Sequence, residues 1–312
     1  LQRLKNYSLN LTRLNPHCKH KGLQWGFPIL DTHLILLPFI LIQNNMVTQF
    51  EKYLVKSNLA KNTVTSYLWT MKYFLDNYKE VNKKNLLAYK GYLMENFKPQ
   101  TVNLRLQAMN KYLEFSKQEK LKMKFVKAQQ KNFLENVISD ADYKFLKAKL
   151  KADGYDEWYF IVWFMAATGA RVSELLQIKA EHVAVGYLDL YSKGGKMRRL
   201  YIPKKLCTEA QRWLTEQNIT SGYLFTNRSG NRLSTRGIAI QLKYFAEKYG
   251  LNRNVVYPHS FRHRFAKNFL DRFNDIALLA DLMGHESIET TRIYLRRTAS
   301  EQQKIVDKVV TW

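Results

Sequence analysis

From residue 46 onward, apolar side chains recur at helical spacing along most of the chain, and the spacing turns to strict alternation at one place only. That pattern restricts the fold to a mainly α class with a single small antiparallel β-hairpin. Val64, Tyr67, Leu68, Met71, Phe74 and Leu75 fall on one helical face, with Asn62 read as the cap that starts it. Gly91 and Pro99 punctuate the next stretch, after which Val102, Leu106, Met109 and Leu113 form another stripe. Lys61, Lys72, Arg105 and Lys111 are left for the outer faces, which gives a four-helix unit whose basic exterior suits a DNA backbone. The alternating segments are Tyr187–Ser192 and Met197–Ile202, joined by a glycine turn at Lys193-Gly194-Gly195-Lys196.

Residues 1–45 lack this periodicity, and Met46 reads as the natural start, with a non-native or disordered leader before it. The leader's apolar run, Leu34–Ile42, is interrupted by Pro38 and is far shorter than the roughly 20 residues of a bilayer span. No small-residue cleavage site follows it, so export is not expected. The remainder divides into a helical domain at 46–126, a polar linker at 127–138 that begins with the Lys/Gln-rich run Lys127–Asn132, and a second domain at 139–312. Ser139 and Asp142 open the second domain in the manner of a capping box. Cys18 and Cys207 form neither a metal site nor a disulfide framework, in keeping with a cytoplasmic location. The charge balance points to a partner: 50 Lys and Arg against 26 Asp and Glu leave +24, which suits a polyanion because each cation set on a phosphate releases a counterion.

Four segments of the second domain carry chemistry. In Thr168-Gly169-Ala170-Arg171-Val172-Ser173-Glu174 an apolar helix breaks at the glycine and a new one starts near Arg171. A guanidinium there can grip a phosphate at a helix N-terminus, with Glu174 three residues on to orient it, although such a pair alone is ordinarily a surface ion pair. The hairpin tip carries Lys193 and Lys196 on a mobile glycine turn. In His259-Ser260-Phe261-Arg262-His263, following Pro258, a titratable ring and a fixed charge share one helical face. Finally Gly284-His285 closes one helix, and Tyr294 follows nine residues after His285. With 19 tyrosines in the chain, one tyrosine is a weak signal by itself, and so is each segment taken singly.

In this order and in one basic domain, the four segments resemble the tyrosine recombinases, the phage-integrase family that includes the lambda-integrase, Xer and Cre groups. The resemblance spans roughly residues 47–312 and rests on T-G-x-R-x-x-E, K-G-x-K, H-x-x-R-H and G-H with its tyrosine. It implies a SAM-like four-helix core-binding domain followed by an α-rich catalytic domain that ends in an exchange helix. It also implies Arg171 and Arg262 as phosphate clamps, Lys193 as the hairpin acid, His259 and His285 around the phosphate, Tyr294 as nucleophile, and Glu174 bracing Arg171. Lys61, Lys72, Arg105, Lys111 and Lys196 are the expected DNA contacts. Phe261 and Met283 stand where leucine is usual, and Leu295-Arg296 follow Tyr294 where many relatives have a histidine.

Chemistry gives each expected group a task. Negative charge builds on the non-bridging oxygens during in-line attack, and two guanidiniums can stabilise it with no metal ion or other cofactor. A phenol, with a pKa of about 10, needs a base or a positive field, and His259 is expected to take its proton. Lys193 would protonate the departing 5′ oxygen. The resulting 3′-phosphotyrosine retains the bond energy, so rejoining needs no ATP. Recombination requires double-stranded DNA with paired sites and, by the resemblance, a homotetramer. The tail after Ser300 places Ile305, Val306, Val309 and Val310 at helical spacing, to dock on a neighbouring protomer. The alternatives are a type IB topoisomerase-like enzyme, which relaxes DNA as a monomer, and a catalytically silent DNA-binding regulator. Inversion, resolution and integration remain open among the recombination reactions.

Overall fold

Four helices close on an aromatic core in the first part of the chain. The computed structural model describes residues 45–128, 136–191, 197–285, 287–295, 303 and 306–310. The leader before 45, most of the 127–138 linker, the hairpin tip with Lys193 and Lys196, and half of the tail after Ser300 lie outside the described residues. The chain divides between Gln129 and Gln130 into two compact units.

The first unit holds α1 (45–56), α2 (Lys61–Tyr78), α3 (Lys83–Asn96) and α4 (Pro99–Phe115). Phe50, Phe74, Tyr89, Met71, Leu106 and Leu113 meet in its centre, all almost wholly buried. α2 begins two residues earlier than the sequence suggests. Ala60 is the N-cap and its carbonyl accepts from the Val64 amide, so Asn62 lies inside the first turn and does not cap. Gly91 sits within α3 and does not break it, because open space surrounds its Cα and helical backbone costs glycine only entropy there. Pro99 occupies the first turn of α4, where its missing N–H is harmless. After α4, two asparagines fasten the outgoing strand: Asn110 and Asn103 each pair, donor and acceptor, with the backbone of Met123 and Val126 respectively, at 2.8–2.9 Å.

Lys61 and Lys72 are exposed, as an outer face requires. Arg105 and Lys111 are not on a free outer face. The Arg105 guanidinium lies 4.1 Å over the Trp69 ring and donates to Thr70 Oγ1 at 2.8 Å, while Lys111 is paired with Glu114 at 2.7 Å. Both are half-buried, since a long stem over an aromatic ring and a nearby acceptor hold the charge against the unit's own surface.

The second unit is built around α6 (Asp156–Thr168), which follows α5 (Asp140–Ala152). Ser139 caps α5, its Oγ accepting from the Asp142 amide at 3.0 Å. α6 is apolar on every side and buries Phe160, Ile161, Val162, Phe164 and Met165, so it must be enclosed by other elements. Around it come α7 (Val172–Leu175), α8 (Ala180–Val185), β1 (Tyr187–Tyr191), β2 (Met197–Tyr201), α9 (Lys204–Glu216), α10 (Thr235–Lys248), α11 (Pro258–Arg272), α12 (Ile276–Met283) and α13 (Ile288–Arg292). A 3₁₀ turn, Ile293–Leu295, follows α13. β1 and β2 pair antiparallel with Tyr187 opposite Tyr201 and Leu190 opposite Arg198. The class is therefore mainly α with one two-stranded sheet. Beside the main core, Ala266, Leu270, Leu279, Met283 and Tyr294 form a small cluster of their own. No helix among the described residues is long and apolar enough to cross a membrane.

α6 stops at Gly169, whose left-handed backbone at φ +63° cannot continue the helix, and glycine is required there because a Cβ would also clash with the Phe265 ring of α11. Gly169→Ala is expected to destabilise the second unit by about 2–4 kcal/mol, the sum of left-handed strain and overpacking. Urea unfolding followed by tryptophan fluorescence measures this, and an unchanged midpoint would refute the account.

Candidate active site

Three breaks in the second unit, after α6, before α11 and after α12, deliver polar side chains to the same place. Because the left-handed Gly169 ends α6, Arg171 becomes the N-cap residue of α7, and Glu174 falls one turn on. The Glu174 carboxylate accepts from the Arg171 amide at 2.7 Å and from the Arg171 guanidinium at 2.8 Å. Its second oxygen also accepts from Arg198 of β2, at 2.5 Å. Burial alone would raise the Glu174 pKa, but Arg198, the Arg171 amide and the Arg171 guanidinium outweigh it and hold the group below the usual carboxylate range. Arg171 reaches across to the Gly284 carbonyl at 3.1 Å and Arg198 to the Leu282 carbonyl at 2.6 Å, so both guanidiniums cap the C-terminal end of α12. Gly284 is left-handed at φ +61°, and a Cβ there would sit 2.3 Å from Arg198.

Arg262 is the most enclosed of the three arginines, 3% exposed. It donates to the Gly169 carbonyl, to the Met283 carbonyl at 2.8 Å and to His285 Nε2 at 3.0 Å. Burial, with Arg171 nearby, lowers its pKa to about 10, which leaves it cationic at neutral pH. A guanidinium only donates, so His285 Nε2 must be the bare nitrogen, and Nδ1–H must be the donor to the buried Thr291 Oγ1 at 2.7 Å. Burial and the three surrounding arginines depress the His285 pKa to about 4, consistent with that neutral form.

Tyr294 is 7% exposed. Its ring stacks on His285 with centroids 6.3 Å apart, and its hydroxyl lies 3.2 Å from His263 Nδ1. Burial raises the phenol pKa, while Arg262 and Arg171 pull it down. Burial, then His259 and Arg262, lower the His263 pKa to about 4. His259 sits in the first turn of α11, its ring 6.3 Å from that of His263. Although the residue is exposed at the helix start, partial desolvation of the imidazole lowers its pKa, with Arg262 and Arg171 adding to the effect.

The structure thus gathers Arg171, Glu174, Arg262, His285 and Tyr294 into one network and sets His259 at its edge. Lys193 and Lys196 are outside the described residues, but the strands that carry their turn border a cleft of about 1050 Å³ lined by Arg171, Arg198, Tyr191, Gly284 and His285. Among the described residues no cluster of His, Cys, Asp and Glu could hold a metal ion.

Residues 136–301, more than half of the chain, match the phage integrase family. The chain belongs to that family, the tyrosine recombinases. Over 284 residues this recombinase is 31% identical to the tyrosine recombinase XerA of Pyrococcus horikoshii, covering 86% of its own length and 94% of the relative's. Its fold is shared with the Tn1549 transposon integrase in complex with transposon right-end DNA (TM-score 0.63, 14% identity, 85% of this chain and 99% of that one). It is also shared with the lambda integrase in a tetramer bound to a Holliday junction (TM-score 0.64, 14% identity, 80% of this chain and 76% of that one). As a tyrosine recombinase, the protein is an enzyme that cuts and rejoins DNA.

Three residues of the network escaped the sequence reading. Arg198 shares strand parity with Leu200, which is 1% exposed, so a charge was bound to face inward there. His263 lies four residues from His259 on the same helical face, within a motif already singled out. Thr291, three residues before Tyr294, accepts from the His285 Nδ1–H that Arg262 leaves in place, and no pattern in the sequence announced it.

Glu174→Gln leaves Arg198, a largely buried guanidinium, without its carboxylate, at an expected cost of about 3 kcal/mol at neutral pH. Because the folded carboxyl's pKa is depressed, this contribution is full above the unfolded pKa and disappears as the pH falls through the folded one. Urea midpoints of parent and variant should therefore converge in acid. His263 and His285 act on the parent in a different window. Both stay neutral in the fold down to about pH 4 against an ordinary value of 6.5, so the unfolded chain binds more protons in between. Parent stability should fall as the pH drops from 6.5 toward 4, and a flat profile would contradict the assignment.

Proposed function

We propose that Tyr294 attacks a DNA phosphodiester in line, forms a 3′-phosphotyrosine, and releases a 5′-hydroxyl that later attacks to reseal a strand. The observation that supports this reading best is the Tyr294 phenol, buried against His285 and His263 beside the Arg262 and Arg171 guanidiniums. Those two cations would hold the non-bridging oxygens, where charge accumulates in the transition state. Both are already oriented, Arg171 by Glu174 and Arg262 by two backbone carbonyls, so little reorganisation is needed when phosphate arrives. Lys193, on the turn between β1 and β2, supplies the proton to the 5′ oxygen, and Lys196 with Lys61 and Lys72 grips the backbone. Arg171, Lys193, His259, Arg262, His285 and Tyr294 form the catalytic set, with Glu174 bracing it.

The reaction is strand exchange between two duplex sites by a homotetramer in the cytoplasm, producing inversion, resolution or integration of a segment. The lambda integrase seen as a tetramer on a Holliday junction, which shares this fold, lends support to four protomers, and the net charge of +24 to a DNA partner. The segment 306–309 is helical, with Val306 and Val309 more than half exposed, and we assign it to the contact with a neighbouring protomer.

On a nicked duplex that lets the 5′ fragment diffuse away, the parent should accumulate covalent protein–DNA complex, in EDTA as well as in buffer with Mg²⁺. Tyr294→Phe should yield none while shifting the same DNA in a gel at nearly parental affinity, because affinity comes from many phosphate contacts. Covalent complex from the Phe variant would move the nucleophile elsewhere.

Lys193 is tested by the leaving group. Lys193→Ala should cleave ordinary DNA about 100-fold or more slowly, yet approach parental rate on a strand with sulfur at the bridging 5′ position, since a thiolate leaves without a proton. Arg171→Ala should gain nothing from sulfur, its work being on the non-bridging oxygens. Absence of rescue for Lys193→Ala would make Lys196 the donor to test.

A further inference from the structure

Besides the Arg262 guanidinium, which can only donate, the side chain within hydrogen-bond reach of the Tyr294 hydroxyl is His263, whereas His259, the expected proton acceptor, contacts His263 and not the phenol. His263 Nδ1 lies 3.2 Å from the phenol oxygen, and the two ring centroids are 5.4 Å apart. Both rings are largely shielded from water, His263 by the packing of α11 and Tyr294 within the cluster formed by α11 and α12. We propose that His263 is the catalytic base that receives the Tyr294 proton during strand cleavage. This rests on the reading of Tyr294 as the nucleophile.

The helix explains the geometry. His259, Arg262 and His263 occupy i, i+3 and i+4 of α11 and share a face, but Arg262 turns inward to the Gly169 and Met283 carbonyls. His263, one residue on, is left beside the 3₁₀ turn that carries Tyr294. The groups facing its imidazole are His259 and Arg262 from α11 and Tyr294 from the 3₁₀ turn, with His285 stacked on the far side of the phenol. None of these is an anion, so the ring is neutral in the free protein and has a lone pair to offer the phenol.

With the ring neutral and the phenol protonated, the empty site holds its nucleophile hydrogen-bonded and unreactive. A phosphate bound at Arg171 and Arg262 introduces the missing negative charge and raises the basicity of the imidazole next to it. As the phenol oxygen bonds to phosphorus, its proton passes to His263 Nδ1, and the P–O5′ bond breaks with the 5′ oxygen taking a proton from the hairpin lysine. In resealing, the flow reverses: the 5′ hydroxyl gives up its proton, and His263 returns its own to the departing tyrosine oxygen.

The test uses the full chain on the nicked duplex, with covalent complex measured against pH. His263→Gln preserves an acceptor oxygen but cannot hold the proton, and His263→Asn serves as a second variant should Gln perturb folding; DNA band shifts and circular dichroism check both. Cleavage is expected to fall about 100-fold in either variant at neutral pH with DNA affinity kept. The acid limb of the parent's pH–rate profile should vanish with it. Genetically encoded difluorotyrosine at position 294, a more acidic phenol, should bring the His263 variants to within a few-fold of the parent. A variant that cleaves at parental rate, or a loss of rate that fluorination does not narrow, would overturn the assignment. Covalent complex from Tyr294→Phe would instead remove the nucleophile reading on which it depends.

Discussion

One carboxylate, Glu174, holds the site together. Its two oxygens accept from the Arg171 guanidinium and amide and from the Arg198 guanidinium, and each arginine then continues to a carbonyl at the end of α12. α7, β2 and α12 are thereby joined through a single side chain that is itself nearly enclosed. Such an ion pair in the interior contributes little net stability compared with apolar packing, but it is costly to leave half-made. Its value here is geometric: it sets the angle at which Arg171 faces the cleft, which hydrophobic contacts between the same elements would leave loose.

The rest of the network is short of acceptors. Arg171, Arg198 and Arg262 draw on Glu174, four backbone carbonyls and one imidazole nitrogen, and among the described residues no second carboxylate joins them. The histidines respond by staying neutral, since a further positive charge beside three guanidiniums is disfavoured. A donor-rich, cation-rich site of this kind is complementary to a phosphodiester, and to the extra charge that group acquires as its bonds exchange. Proton placement follows from the same shortage: Arg262 dictates the His285 tautomer, and Thr291 Oγ1 accepts a hydrogen bond from the Nδ1–H that results.

Periodicity made the helices and the hairpin legible, because burial of a stripe or of alternate positions leaves a direct trace in the residues. Caps were less legible. Asn62 has good capping chemistry but is the second residue of α2, whose N-cap, Ala60, has no capping side chain at all. How surface cations are held was illegible for a related reason: that Arg105 lies over Trp69 depends on how α2 and α4 pack, which neither stripe reveals. Within the site, neighbours along one helix, such as His259 and Arg262, could be paired by counting. The contact between His263 and Tyr294, 31 residues apart, required the path of α12 and α13 between them. Arg198 was hidden differently. Arginines on strands are ordinarily solvent-facing, and only the parity it shares with Leu200 marks it as turned inward.

That parity limits how such enzymes can vary. Arg198 and Arg199 are adjacent yet serve opposite faces of the hairpin, the first reaching Glu174 and the second forking onto Asp189 across the strand pair. A slip of one residue in β2 would exchange them, leaving Glu174 without its second arginine and a charge aimed at the wrong face. The turn between the strands is free of that restriction. Insertions and deletions at the tip can accumulate between related chains and adjust how far its lysines extend, provided β2 keeps its phase. A change of one residue inside β2 would uncouple the clamp while leaving every catalytic side chain in the sequence.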